Sequence, residues 1–477
     1  MKSPDVRINR LTLHDMKSVG KGTIEFQAAG ALRQKTASIL GLYGQNGSGK
    51  TVAVEALDIL KSIFTGVPIH PGVVNSITKG KSGCSLELEL SLFDEEDKTD
   101  CTVFYSCTLE PRDNPNKSAD DSKHDPRHLP QPDEIIVVAE EILKVSGLIC
   151  ATEYNKRGNF AKSNENDYSF LSKFSREALL GGNEKILEGQ RSVAFYGGRS
   201  FLFSKQLWEA MRETEKTKDI CYLFKAIRYY AALKLFVIEE KSFSGLLFLW
   251  CCSKKRKSSK TRAGAGPIPF FLGRNKTRMG QEMLEAAQEA FAAINVALVS
   301  LIPGLQILCK AEKRSLDESD STYEVELFSW REGFDPFSFD QESLGVKKIV
   351  SILSVLIAAY HDPGFTLVVD ELDASIFEFL LGELISVLKE SGRGQLIFTS
   401  HNLRPLEMLD AQSICFTTTN PQNRYMKLSK SRVKDSSNLR KTYFRTILLG
   451  GEDEALYHGD SKAAIEFAFE EAGWGEQ

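Results

Sequence analysis

Residues 44 to 51 read GQNGSGKT, placed between a short apolar run at 37–43 (ASILGLY) and a segment of helical period at 51–64 (TVAVEALDILKSIF). The octapeptide fits GxxxxGK[ST] at every fixed position. Gly44, Gly47 and Gly49 let the backbone curl so that successive N–H groups point inward, and the following helix adds its positive N-terminal end. Asn46 and Ser48 complete the loop. Lys50 would reach the β and γ phosphates of a bound nucleotide. Thr51 would offer its hydroxyl to Mg²⁺, an ion that takes oxygen donors and usually keeps several waters. Strand, glycine loop and helix in this order predict an α/β fold with the loop at the carboxyl edge of a parallel sheet.

The chain has 477 residues, 42% hydrophobic and 26% charged, enough for a large core and two or three domains. The longest near-continuous apolar stretch, 243–252 (FSGLLFLWCC), is about half of what a spanning helix needs, so a membrane partner is not expected. The opening MKSPDVRINRLTLHD lacks an apolar core of signal-peptide length, which predicts a cytoplasmic protein. Nine cysteines form no CxxC pair and no zinc-type spacing with histidine, so they are expected to be reduced and mostly buried. A net charge of -4 does not announce a nucleic-acid binder as a strongly basic domain would, so any such role must rest on local patches.

Alternation predicts strands at 6–13 and from 22 to 26, then at 85–92 (SLELELSL) and 102–108. Segment 111–133, rich in Pro, Asp, Lys, Ser and His, reads as a solvated excursion. Between 134 and 330 helical stretches at 206–233 and 279–301 mix with strand-like pieces at 235–238 and 323–328, and sustained heptads are absent. After Gln341 a helix is expected, then a strand at 365–369, a helix at 374–388 and a strand at 395–399. This order predicts a nucleotide-binding core split by an insertion: 1–110 and 335–425 as the two parts of one unit, 111–334 between them, and 426–477 as a tail.

Three further constellations fall in the second part. FTLVVDELD, 365–373, sets Asp370 and Glu371 at the end of an apolar strand. Asp370 would hold Mg²⁺ through water and Glu371 would polarise an attacking water. Alone, an acidic pair after a strand is as often a helix cap. His401 follows the next apolar strand in QLIFTSHN, where it can reach a γ phosphate, although a lone histidine is more often structural. ESLGVKK, 342–348, puts Ser343 and Gly345 before a helix, either as an anion-binding end or as an ordinary N-cap.

Taken together, GQNGSGKT, FTLVVDELD, TSHN and ESLG resemble the ABC-class ATPases of the SMC, RecF and OLD group, in the branch often labelled AAA15. The resemblance implies an ABC-ATPase head and makes these segments its Walker A, Walker B with D-loop (reaching Asp373), switch-histidine and signature elements. It also places Lys17, in the opening hairpin, near the phosphates. It covers 6–64 and 335–405. No glutamine falls between Gln45 and Gln131, so the family's Q-loop residue has no counterpart, and the signature reads SLG rather than SGG. The 76 residues after His401 show no DxD and are shorter than a Toprim nuclease domain, which implies that any cleavage belongs to a partner.

In that family the signature of one protomer covers nucleotide held by another. The resemblance therefore implies a homo-oligomer in which Ser343 and Gly345 complete a neighbour's site built on Lys50, Thr51, Asp370 and Glu371, with ATP and Mg²⁺ as cofactors. Stand-alone members of this length resemble ATPase subunits of PARIS-type and Septu-type anti-phage systems, which control a separate nuclease or toxin. The alternatives are a RecF-like or Rad50-like repair ATPase and an ATP-sensing scaffold with little turnover. Two basic runs, 253–262 (SKKRKSSKTR) and 427–445, are candidates for DNA or RNA contact, and acids including Glu452, Asp453, Glu454, Glu470 and Glu471 for docking a basic partner.

Overall fold

The structure, a computed structural model, describes residues 4–26, 29–114, 133–239, 246–251, 266–271, 276–314 and 322–427, with 440, 468, 469 and 472. Both basic runs, apart from Lys427 and Arg440, and the acids of the C-terminal segment lie outside the described residues, as do 115–132.

The chain opens with β1 (Asp5–Met16), β2 (Val19–Glu25), α1 (Ala29–Gln34), β3 (Ser38–Tyr43), α2 (Lys50–Thr65), β4 (Cys84–Asp94) and β5 (Thr99–Asp113). It continues through β6 (Glu134–Ile149), β7 (Thr152–Tyr154), β8 (Ala161–Asn164), β9 (Tyr168–Phe170), α3 (Arg176–Leu180), α4 (Glu184–Tyr196), α5 (Lys205–Ala210) and α6 (Lys218–Leu233). Next come β10 (Leu235–Ile238), β11 (Leu246–Cys251), β12 (Gly266–Phe271), β13 (Thr277–Gly280), α7 (Gln281–Leu301), β14 (Gln306–Lys313), β15 (Thr322–Trp330) and β16 (Phe337–Ser338). The last stretch is α8 (Leu344–His361), β17 (Thr366–Val369), α9 (Glu378–Ser391), β18 (Gln395–Thr399), α10 (Pro405–Met408), β19 (Ile414–Thr417) and β20 (Tyr425–Lys427).

Two sheets organise the molecule. The first runs β2-β1-β4-β5-β6-β8-β9, all antiparallel, with β7 against β6. The second runs β10-β17-β18-β3-β19-β20, parallel except for its last strand. This is the α/β phosphate-loop architecture that the sequence predicts, with β3 flanked by strands from the far end of the chain. The parallel sheet is buried on both faces, as crossover connections require. Leu40, Leu42, Val368, Ile397 and Cys415 join the core shared with α2, α6 and the antiparallel sheet. Leu367, Val369, Leu396, Phe398 and Phe416 face the core built with α7, α8 and α9.

The boundary expected at 110/111 falls inside β5, which runs on to Asp113 and pairs with β6 along its length. Strand β10, from the middle segment, pairs with β17 at the edge of the parallel sheet. The helix expected at 206–233 is two, broken at 211–217. There Thr217 Oγ1 donates to Arg212 O at 2.5 Å and accepts from Thr214 N at 2.9 Å, satisfying the backbone locally instead of through a helix. Helices α7 and α8 are long and apolar enough to cross a membrane by length and composition, but α8 is mostly buried and packs on β17, as a core helix does.

Polar groups lock the N-terminal strand to the C-terminal half. Gln395 Oε1 accepts from Ile8 N at 3.1 Å and its Nε2 donates to Ile8 O at 2.8 Å, so one buried amide bridges the two sheets. Arg7, fully buried, donates from Nε to Pro363 O at 2.8 Å and from Nη2 to Arg393 O. Burial lowers its pKa to about 10. Removing either side of such a network would leave buried polar groups unpaired.

Candidate functional site

Strands β3, β17 and β18 are parallel neighbours, so their carboxyl ends lie side by side. The segments leaving those ends therefore converge on one sheet edge. After β3 comes the glycine loop. Gly47 and Gly49 have φ of 75° and 97°, a left-handed region that costs other residues about 1–2 kcal/mol. A Cβ on Gly49 would come within 3.0 Å of Val19 and 3.3 Å of Arg424, so a side chain there would also press on both neighbours. Helix α2 then starts at Lys50.

The Lys50 side chain is buried and turned back onto its own loop, donating to Gly44 O at 2.8 Å and Gln45 O at 3.0 Å. Burial lowers its pKa, opposed by the charges of Asp370, Glu371 and Asp373. Those three acids follow β17, from the opposite end of the sequence to the lysine whose charge they support. Thr51 Oγ1 donates to Asp370 Oδ1 at 3.3 Å. A hydroxyl and a buried carboxylate in contact beside the loop form the oxygen donor pair that Mg²⁺ would share with waters and phosphate oxygens. Among the described residues no cluster of three or more His, Cys, Asp or Glu could hold a metal by itself.

Residues 370–376 form a turn rather than the start of a helix, and α9 begins at Glu378, four residues later than the sequence predicts. Glu371 and Ser375 have φ of 48° and 63°, which breaks the helical path. Asp373 Oδ2 accepts from His401 N at 3.1 Å and Asn402 N at 2.9 Å, holding the turn to the segment after β18. Its Oδ1 is buried without a hydrogen-bond partner. The His401 side chain is exposed at that edge. Left-handed backbone at a non-glycine residue persists only where its surroundings impose it. Around Glu371 they do. Its N–H donates to Thr399 Oγ1 at 2.7 Å, and buried Lys348, from α8, donates to its carbonyl.

Thr399 and Lys348 are site residues that motif reading misses. Thr399 also donates to Asp370 Oδ1 at 2.6 Å, so one hydroxyl holds the Asp370 carboxylate and the Glu371 backbone. Its only sequence signal is its place as the last residue of an apolar strand before Ser-His. Lys348 is the second lysine of ESLGVKK, where the motif singles out only Ser343 and Gly345.

The structure thus brings Lys50, Thr51, Asp370, Glu371 and Asp373 together. Ser48 is buried and donates to Gln45 O at 2.7 Å, whereas Asn46 is exposed at the loop tip. Lys17 sits at the turn between β1 and β2 and pairs with Glu55 of α2, while its neighbour Ser18 donates from Oγ to Gly47 O at 3.2 Å. Ser343 caps α8, accepting from Val346 N at 3.3 Å. Gly345 lies against the acidic turn, where a Cβ would meet Ser375 O at 2.4 Å.

No family model and no curated protein matches this chain. Among solved structures it is similar to an Smc head bound to the C-winged helix domain of ScpA, at 14% identity and a TM-score of 0.44, covering 89% of this chain and 99% of that one. It is also similar to the SMC head domain from Thermotoga maritima, at 13% identity, TM-score 0.36 and coverage of 89% and 99%. A third is an Smc head with an extended coiled coil from Pyrococcus furiosus, bound to the C-terminal domain of ScpA, at 13% identity, TM-score 0.41 and coverage of 90% and 97%. Likenesses of this size carry no functional argument, and function has to be read from the chain's own residues.

Proposed function

We propose that this chain is a cytoplasmic ATP-binding and ATP-hydrolysing head that uses nucleotide to control its own assembly. The observation that carries this reading is the contact of Thr51 with Asp370 beside Lys50, a cation–carboxylate–hydroxyl set held at the mouth of a glycine loop. Phosphoryl transfer asks a protein for positioning and charge stabilisation, with little covalent chemistry. Lys50 would meet the β and γ phosphates once it leaves the loop carbonyls. Thr51 and Asp370 would hold Mg²⁺, which neutralises phosphate charge when bound. Glu371 would orient the attacking water, and His401 would meet the γ phosphate from the neighbouring strand end.

Gly345 lies against the turn after Asp373, at Ser375, and Ser343 caps the same helix, which supports use of this helix N-terminus toward a nucleotide on a second copy. Head-to-tail assembly would then accompany binding, and hydrolysis would reset it. Control of a separate nuclease or toxin in a bacterial anti-phage system is the finer reading, resting on the resemblance of the sequence motifs to the AAA15 branch.

Glu371→Gln tests the core of this proposal, because it keeps shape and removes the carboxylate. Phosphate release should fall by a factor on the order of 10² or more. The ATP-bound assembly, weighed by light scattering, should persist. Normal turnover in the variant would remove Glu371 from the role. Assembly without turnover in both proteins would favour the scaffold reading.

A further inference from the structure

The hairpin of β19 and β20 lies far beyond the glycine loop in sequence and presses against it in space. Thr417 Oγ1 donates to Tyr43 O at 3.2 Å and lies in a short contact with Ser48 Oγ. A Cβ on Gly44 would stand 1.8 Å from that hydroxyl, so the loop touches the hairpin through bare backbone. At the other end of the loop, the buried Tyr425 phenol donates to Gly49 O at 2.7 Å. Arg424, one residue earlier, donates to Ser18 O and ties the same hairpin to the turn that grips Gly47 O.

These contacts take the Gly47 and Gly49 carbonyls and the Ser48 hydroxyl of the loop, with the Tyr43 carbonyl just before it, and none of them takes a loop N–H. In a trans peptide the carbonyl of one residue and the N–H of the next point in opposite directions. Holding Gly49 O toward the hairpin therefore turns Lys50 N–H away from it, toward the side where phosphates would lie. The left-handed conformation of Gly49 requires such an external anchor to keep a single orientation, since glycine has the widest choice of backbone states.

We propose that Tyr425 and Thr417 are positioning residues for the phosphate loop, holding its carbonyls so that its N–H groups are set for the nucleotide before it arrives. This rests on the proposed ATP-binding role and extends it to a part of the chain that no phosphate motif contains. Preorganisation of this kind acts on affinity, because the cost of ordering the loop is met during folding rather than on binding.

The test measures ATP affinity by equilibrium dialysis with Mg²⁺, and kcat at saturating ATP, for the full chain and four variants. Tyr425→Phe and Thr417→Val should each weaken ATP binding by about fivefold, the worth of one net hydrogen bond. The kcat should stay near wild type, since the acids are untouched. Thr417→Ser, which keeps the hydroxyl, should restore affinity. Tyr105→Phe removes another buried phenol, bonded at 3.0 Å to Glu141 Oε2 within the antiparallel sheet. It should lower thermal stability comparably and leave ATP affinity unchanged.

Unchanged affinity in Tyr425→Phe and Thr417→Val overturns the inference, as does an equal loss in Tyr105→Phe, which would make the effect one of general stability. A wild type with no affinity for ATP overturns the ATP-binding role and this inference with it. Should Tyr425→Phe fail to fold, the contrast of Thr417→Val with Thr417→Ser decides alone.

Discussion

The parallel and antiparallel sheets bury their side chains by different rules, and the candidate site results from the difference. In β17 every residue is buried: Val368 faces one core while Leu367 and Val369 face the other. In β4 burial alternates from Cys84 to Leu90, with Leu86, Leu88 and Leu90 inside and Glu87 exposed between them. A strand covered on both faces has no place for a polar group along its length, so polar chemistry is pushed to its end. Asp370 comes directly after β17, Thr399 closes β18, the glycine loop leaves β3 and Thr417 closes β19. The antiparallel sheet can carry polar residues along one face, and it reaches the site through the β1–β2 turn and the start of β2, where Val19 lies beside Gly49.

Breaking the parallel edge should have the largest effect. Lys50→Ala removes the ammonium that meets two phosphates and should weaken ATP binding on the order of 10³-fold or beyond measurement. Equilibrium dialysis with ATP and Mg²⁺ checks this. Binding as tight as wild type would show that the glycine loop is not the phosphate site.

Within the strands the comparison becomes a stability experiment. Leu367→Ala and Val368→Ala, at consecutive positions, should each cost about 2–4 kcal/mol, because both remove packed core methyls. At the alternating positions of β4 the effect should depend on the face: Leu88→Ala costs as much, and Glu87→Ala stays within about 0.5 kcal/mol. Urea midpoints for the four variants give the answer. A neutral Val368→Ala would mean that one face of the parallel sheet is not a real core.

The same difference decides what is legible in the sequence. Continuous apolar runs ended by GQNGSGKT and by DELD announce buried strands and their functional ends, and perfect alternation in SLELELSL announces β4. Long-range pairings leave no such mark. Nothing periodic reveals that LFVI, 235–238, pairs with β17, or that the 414–427 hairpin supports the loop at 44–51. The helix predicted from Ala374 starts late for a related reason. Apolar spacing continues through the acidic turn, but Asp373 is drawn to the amides after β18, a contact that forms only once the sheet exists. Lys348 and Thr399 carry no motif signal because each acts on a backbone or carboxylate supplied by a distant element.

The smallest and most specific effect concerns the charge on Lys50. Its pKa is lowered chiefly by burial and held up by Asp370, Glu371 and Asp373, so the two influences can be separated. The protonated amine is the form that attracts phosphate, and its folded-state pKa lies below the ordinary lysine value of 10.5. ATP affinity measured without Mg²⁺ should therefore fall as pH rises, earlier than a free lysine would allow. Above about pH 8 the terminal phosphate is already fully ionised, so the fall reports on the protein. Asp370→Asn takes away a carboxylate that favours the ammonium and should move the fall to lower pH. Titration calorimetry at a series of alkaline pH values, with circular dichroism to confirm folding at each, measures both curves. A fall at the same or a higher pH in Asp370→Asn would mean that this acid does not sustain the Lys50 charge, and that the carboxyl ends of β3 and β17 are not electrostatically one site.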